Sequence, residues 1–250
     1  MTSPQSPTPS PGPQGLFITG TDTEVGKTYI SALIAKQLVE EGKRVGVYKP
    51  VASGCLVVDG EVVSGDAVAL WEAAGGPLTL EQVCPQKFKA SLAPHRSAAT
   101  EDKKVDSELL RSGIEPWVTN NFDFVIVEGA GGLLSPISDE DYVADVAIDL
   151  HAKFGWPLLV VAPNKLGTIN ATLQTIITAN AYRTGLPVAG VVLNQVTPID
   201  PEQAASGKYD ASIASNHLDI ARSSPAPVLA DVRFGKAFEE RVDWLAVAGG

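Results

Sequence analysis

The sequence is sparing with the residues that mark several large protein classes. It has 2 cysteines, Cys55 and Cys84, in 250 residues. Two thiols with neither CxxC nor metal-ligand spacing exclude a disulfide scaffold and a cysteine-based zinc site, and predict free thiols in a reducing compartment. Basic residues are outnumbered, 19 Lys+Arg against 29 Asp+Glu, for a net charge of -10. Nucleic-acid binding leans on surplus Lys and Arg, so no nucleic-acid partner is expected. No apolar run reaches the ~18 residues of a membrane span, and the N-terminus lacks the charged and apolar regions of a signal peptide. No membrane partner is expected, and the cytoplasm is the expected compartment.

What is present fits one large globular domain: 44% hydrophobic and 19% charged residues can build a sizeable core. Residues 1–14, "MTSPQSPTPSPGPQ", are too rich in Pro and Ser to bury anything and are expected to be a disordered tail. From residue 15 apolar runs alternate with helical spacing. Strands are predicted at 16–19, 44–49, 122–132, 157–163, 187–194 and 226–232. Helices are predicted at 27–41 with Gly42 at the C-terminus, 66–76 with Asp66 as N-cap, 106–121 with Pro116 as a possible break, 141–154, 168–184, 208–221 and 235–246. Residues 56–63 suit either a hairpin or a loose loop, and 77–105 resist assignment. Strands apolar throughout, alternating with helices, predict an α/β fold of the P-loop NTPase type, a mostly parallel sheet with helices on both faces. Such sheets bind ligands beyond the C-terminal strand ends.

"GTDTEVGKT" (20–28) lies between a predicted strand and helix. Gly26, Lys27 and Thr28 supply the close backbone approach, the phosphate-binding ammonium and the Mg²⁺-binding hydroxyl of a phosphate loop. Gly20 sits one position earlier than in GxxxxGK[ST]. Glu128, directly after "FVIV", is placed as a metal-binding acid, and Asp66 follows the second strand's loop. A carboxylate at the end of a buried strand needs a partner; Asp66 reads equally well as a plain helix cap. Lys49 leaves an apolar strand on the ligand edge, where a second ammonium can stabilise a transferring phosphoryl group.

Four motifs in order, GTDTEVGKT, YKPVASG, VEGAGG and KLGTIN, resemble dethiobiotin synthetase, an ATP-dependent ring-closing family, over roughly residues 16–232. The resemblance implies 7,8-diaminononanoate, CO₂ or bicarbonate and ATP as substrates and Mg²⁺ as cofactor. It implies that Lys27 and Lys49 stabilise the phosphoryl and carbamate charges, and that Thr28, Asp66 and Glu128 hold Mg²⁺. Glu24, Val25, Gly26, Lys27, Thr28, Glu128, Gly131 and Asn194 are assigned to the nucleotide, Asn194 reading adenine. Thr23, Glu24 and Ser53 line the diamine and carbamate pocket. Lys165, Gly167, Thr168, Ile169 and Asn170, at a helix start, hold the substrate's carboxylate tail across a homodimer interface; an ordinary helix cap accounts for the same residues. Glu24 thereby gains a reason to sit in a phosphate loop, since a diamine is cationic. Asp22 is left with a loop-closing hydrogen bond.

"APH" (93–95) resembles a family "SPH" near the substrate, which singles out His95, whereas His151 and His217 fall in predicted helices. Many family members have Pro where this chain has Arg233, beside the adenine pocket. Two rivals share the phosphate loop. A cobyrinate diamide synthase-like amidoligase would carry a glutaminase domain, for which the chain is too short. A partition-type ATPase would carry lysine where Asp22 stands. Lys49→Ala is expected to nearly abolish turnover and leave the fold stable.

Overall fold

The computed structural model describes residues 12–198 and 210–249. Its strands are β1 (Gln14–Gly20), β2 (Val45–Tyr48), β3 (Val51–Ala52), β4 (Leu56–Val58), β5 (Glu61–Val63), β6 (Gln86–Lys87), β7 (Phe124–Gly132), β8 (Leu158–Pro163), β9 (Val188–Asn194) and β10 (Val228–Val232). Helices α1 (Lys27–Glu40), α2 (Gly65–Ala73), α3 (Leu80–Val83), α4 (Pro94–Ala99), α5 (Leu109–Ser112), α6 (Glu115–Thr119), α7 (Val143–Phe154) and α8 (Thr168–Ala181) run between them; Asn216–Ser223 and Trp244–Gly249 are also helical.

Six strands form one sheet in the order β10-β9-β8-β1-β7-β2, and every pairing in it is parallel. The sequence predicts this because the strands are apolar on both faces: Leu16, Phe17, Ile18, Val125, Ile126, Val127 and Leu158 to Ala162 are all buried. Each such Leu, Ile or Phe contributes about 1.5–3 kcal/mol by leaving water. The chain runs from β1 outward to β2, returns to β7, then crosses β1 to reach β8. With right-handed crossovers, that reversal places α1 and α7 on opposite faces and opens a crevice at the C-terminal end of β1. The predicted face of α1 is inside: Ile30, Ile34 and Leu38 are buried, and Leu33 and Val39 pack against the core.

Residues 56–63 are a hairpin, with Asp59 and Gly60 both at positive φ (51° and 88°), the type I′ geometry that matches strand twist. Four expectations are corrected. The N-cap of α2 is Ser64, whose Oγ accepts from Ala67 N–H at 3.2 Å, so Asp66 lies inside the first turn with its carboxylate free for other partners. Residues 106–121 form two short helices, and Pro116 stands in the first turn of the second, where its missing N–H costs nothing. The predicted helix 208–221 divides into a 3₁₀ turn, Ala211–Ala214, and Asn216–Ser223; residues 208 and 209 lie outside the described residues. The last helix is Trp244–Gly249 alone. Residues before it instead cross α1, where Gln37 Nε2 donates to Val242 O at 2.8 Å and accepts Trp244 Nε1 through Oε1 at 3.3 Å. Residues 1–11 of the Pro/Ser-rich stretch also lie outside the described residues; Gln14, assigned to the tail, opens β1.

Candidate active site

The loop after β1 turns tightly enough for its backbone to face one point. Gly26 caps α1 at φ 87°; a Cβ there would lie 2.1 Å from Asn194 Nδ2. Glu24 takes the left-handed conformation, φ 58°, sparsely populated by residues with a side chain. Lys27 folds back to donate from Nζ to Asp22 O at 3.1 Å. The Asp22 carboxylate accepts the Thr23 N–H at 2.7 Å, a contact with the adjacent residue rather than the loop-closing bond expected of it. Val25 is buried, and its carbonyl accepts from Asn194 Nδ2 at 3.0 Å.

Next to this loop β7, the end of β2 and the first turn of α2 bring their charges together. Glu128, on β7, is fully buried. Its Oε1 accepts from Thr28 Oγ1 at 2.8 Å and from Lys49 Nζ at 2.6 Å. Lys49 Nζ also meets Asp66 Oδ2 at 3.0 Å; the Lys49 side chain is 4% exposed and that of Asp66 51%. Burial alone would strip the proton from Lys49, but Glu128 and Asp66 overcome it and hold the ammonium charged well above the usual lysine range. Among the described residues Lys27 has no direct carboxylate partner, and burial lowers it to about 8, with Glu128 opposing and Lys49 pushing the same way as burial. Burial works against the charged Asp66 carboxylate too, and Lys49 outweighs it, leaving Asp66 below the ordinary value. Because Lys49 is the neutralising partner of a buried carboxylate, its removal bears on stability as well as turnover; the expected stable fold of Lys49→Ala is revised accordingly.

Gly131 (φ 79°) and Gly132 press against the loop: a Cβ on Gly131 would meet Ser135 Oγ at 2.5 Å and Thr23 Oγ1 at 3.5 Å. Ser53 follows β3 half-buried at the same edge. The second group of expected residues lies past β8. Lys165 is exposed, Gly167 caps α8 at φ 92°, and Thr168, Ile169 and Asn170 form its first turn. Among the described residues, no hydrogen bond or ion pair joins this group to Lys27, Lys49 or Glu128. Between the two, a groove of about 400 Å³ runs from Thr21 and Asp22 past Ser135 to Ala171, Gln174 and Thr178 of α8.

A family model for an AAA domain matches residues 14–240. The ATP-dependent dethiobiotin synthetase of Rhodopirellula baltica is 44% identical over 87% of this chain and 83% of its own length. That of Anaeromyxobacter dehalogenans is 39% identical over 84% and 85%. The chain belongs to the dethiobiotin synthetase family. More distant likenesses show the fold: the signal recognition particle receptor FtsY of Elizabethkingia anophelis (TM-score 0.54, 15% identity, 98% of this chain and 67% of that one) and the hydrogenase maturation factor HypB of Archaeoglobus fulgidus (TM-score 0.52, 14% identity, 94% and 89%).

The residues around the loop between β1 and α1 suit a hard cation. Glu128 Oε2 is buried without a hydrogen-bond partner among the described residues. Together with Thr28 Oγ1 and the half-exposed Asp66 carboxylate it forms an oxygen set of the kind Mg²⁺ takes when phosphates and water complete its shell. His95 stands in α4 with Nδ1 buried and unpartnered, beside a groove shared with Arg96 and residues 138–142. Arg233 is exposed and paired with Glu239 at 3.1 Å. Sequence reasoning missed Ser135, whose Oγ accepts Gly132 N–H at 2.9 Å and braces the second glycine turn. It also missed a polar cluster around Asn164. Neither a lone Ser nor a lone Asn carries a signal; only tertiary contact gives them one.

Proposed function

We propose that this chain catalyses the ATP- and Mg²⁺-dependent carboxylation and ring closure of 7,8-diaminononanoate to dethiobiotin in biotin biosynthesis, with residues 15–250 acting as one domain in the cytoplasm. The observation that carries the reading is a pair of buried lysines at the mouth of the phosphate loop, Lys49 bonded to Glu128 at 2.6 Å and Lys27 close by. Relatives named ATP-dependent dethiobiotin synthetase support dethiobiotin as the product. One ammonium suffices to grip a nucleotide; a second, fixed beside it, suits a phosphoryl group passing to an anionic acceptor.

In this reading one amine of the diamine adds to CO₂, forming an N–C bond and releasing a proton. Glu24 meets the cationic diamine at the loop, with Thr23 and Ser53 lining the pocket. Lys49 orients the carbamate, whose oxygen attacks the γ-phosphorus as the bond to ADP breaks. Lys27 follows the charge on the transferred group, and the N–H groups of the loop through Val25, Gly26 and Thr28 hold the remaining phosphates. The second amine then attacks the carbamate carbon, closes the ring and expels phosphate. Thr28, Asp66 and Glu128 would hold Mg²⁺, which would neutralise charge on the phosphates. Glu128 and Gly131 border the nucleotide, and Asn194 reads the adenine from beside Gly26.

We further propose that two copies pair across the α8 face, where Leu134, Leu166 and Ile177 are exposed. The α8 start, Lys165 and Gly167 to Asn170, then holds the substrate's carboxylate in the partner's site. Purified protein incubated with 7,8-diaminononanoate, bicarbonate and Mg-ATP tests the function. Dethiobiotin detected by mass spectrometry, and lost on omission of any component, is the expected result. ATP turnover without dethiobiotin would sink it.

A further inference from the structure

The turn before α8 has no side chain of its own to hold it. Its cap is Gly167, which makes no side-chain hydrogen bond, and Lys165, Leu166 and Gly167 are exposed. Left alone, such a turn samples many shapes, and a ligand that needs one of them must order it on binding. The structure supplies the missing constraint from a distant stretch of chain. Asp210 Oδ2 accepts the Leu166 N–H at 2.6 Å, while its Oδ1 accepts Ser212 N–H at 3.0 Å and Ser212 Oγ at 2.6 Å. Asn216, 1% exposed, donates through Nδ2 to Lys165 O at 3.3 Å and to Asn164 Oδ1 at 2.8 Å.

Asn164 is the hub. It is 3% exposed. Its N–H donates to Asn194 O at 2.7 Å, and its Nδ2 donates to both Asp231 oxygens, at 3.1 and 3.0 Å, and to Ile213 O at 3.3 Å. Buried amides with their partners satisfied fix one arrangement, because any other leaves a polar group unpaired.

We propose that Asn164, Asp210 and Asn216 are positioning residues that hold the turn Lys165–Asn170 in the shape that receives the substrate's carboxylate. The inference rests on the reading of that turn given above. None of the three side chains is asked to touch the substrate. Asp210 is itself an anion near an anion site, so its contribution is geometric: it accepts one N–H, at some cost in repulsion.

Asp210 gives the cleaner test, since its side chain lies nearer solvent than the buried amides. Asp210→Ala should raise KM for 7,8-diaminononanoate on the order of tenfold, with kcat and KM for ATP within about twofold of wild type. Asp210→Asn keeps one oxygen that can accept the Leu166 N–H but sets an NH₂ group against the Ser212 N–H; its KM should lie between those of wild type and the Ala variant. Amide exchange at Leu166, followed by NMR in the substrate-free protein, should speed up more in the Ala variant than in the Asn variant. An unchanged KM for the diamine, an equal rise in KM for ATP, or an Asn variant as impaired as the Ala variant would overturn the proposal. If wild type makes no dethiobiotin, the functional reading fails separately, and Leu166 exchange alone decides whether Asp210 holds the turn.

Discussion

At the β1–β7–β2 end of the ligand edge, full charges are packed against one another: Lys49 between Glu128 and Asp66, with Lys27 close by. At the β8–β9–β10 end the buried groups are mostly neutral amides, Asn164, Asn194 and Asn216, satisfied by backbone carbonyls and by Asp231. The difference follows from what each end must do. Charges confined in a low-dielectric setting act strongly on a ligand's charge, but they remain costly until that ligand arrives. Neutral hydrogen bonds act weakly on charge and define shape. The first end is suited to chemistry and the second to placement.

The largest break in this contrast is Lys49→Met. It leaves Glu128 buried without its ammonium, so turnover should fall on the order of 10²–10³-fold and stability by about 3 kcal/mol. Steady-state kinetics and denaturant unfolding check the pair of effects; a variant that keeps full activity removes Lys49 from the mechanism. Gly26→Ala comes next. It imposes a positive φ on a residue with a Cβ and drives that Cβ into Asn194. Stability should drop by more than about 1 kcal/mol, and nucleotide affinity, read by calorimetry, should fall at least ~10-fold.

Asp66→Asn removes a half-exposed charge and so should leave thermal unfolding nearly unchanged. The Mg²⁺ concentration for half-maximal activity should rise at least ~10-fold. The smallest effect is expected at the placement end. Burial raises Asp231 above the ordinary carboxylate value, with Asn164 opposing. A raised folded pKa means that the folded state binds more protons than the unfolded state between the two values. Asp231 therefore contributes stability at low pH that is lost as pH rises through that window. Asp231→Asn should be neutral or slightly stabilising at pH 7 and lose that advantage toward pH 4, as melting curves at the two pH values would show.

The two ends also differed in how far the sequence announced them. Phosphate loops have a fixed spacing tied to a strand–helix junction, so Gly26, Lys27 and Thr28 were readable from local order. Glu128 was readable because an acid after "FVIV" demands a partner, and Lys49 proved to be that partner. Asp66 was placed at the edge but misread as an N-cap, because Ser64, two residues earlier, satisfies the same rule. The parallel sheet was legible from strands apolar on both faces. Residues 77–105 were not, and 106–121 were read as one helix where two form, since the short helices here are set by contacts such as Trp117 Nε1 to Gln82 O at 3.3 Å rather than by periodicity. Asp210 and Asn216 are separated from Asn164 by some fifty residues, and nothing local reveals that they meet.

The most direct test of the account follows oxygen from bicarbonate. If the carbamate oxygen attacks the γ-phosphate between Lys27 and Lys49, [¹⁸O]bicarbonate supplied with 7,8-diaminononanoate and Mg-ATP, and quenched before exchange with water, should deliver one ¹⁸O to the released phosphate and one to the ring carbonyl of the product. Phosphate that carries no ¹⁸O while ATP is consumed would mean that water attacks the nucleotide, and would contradict the central claim.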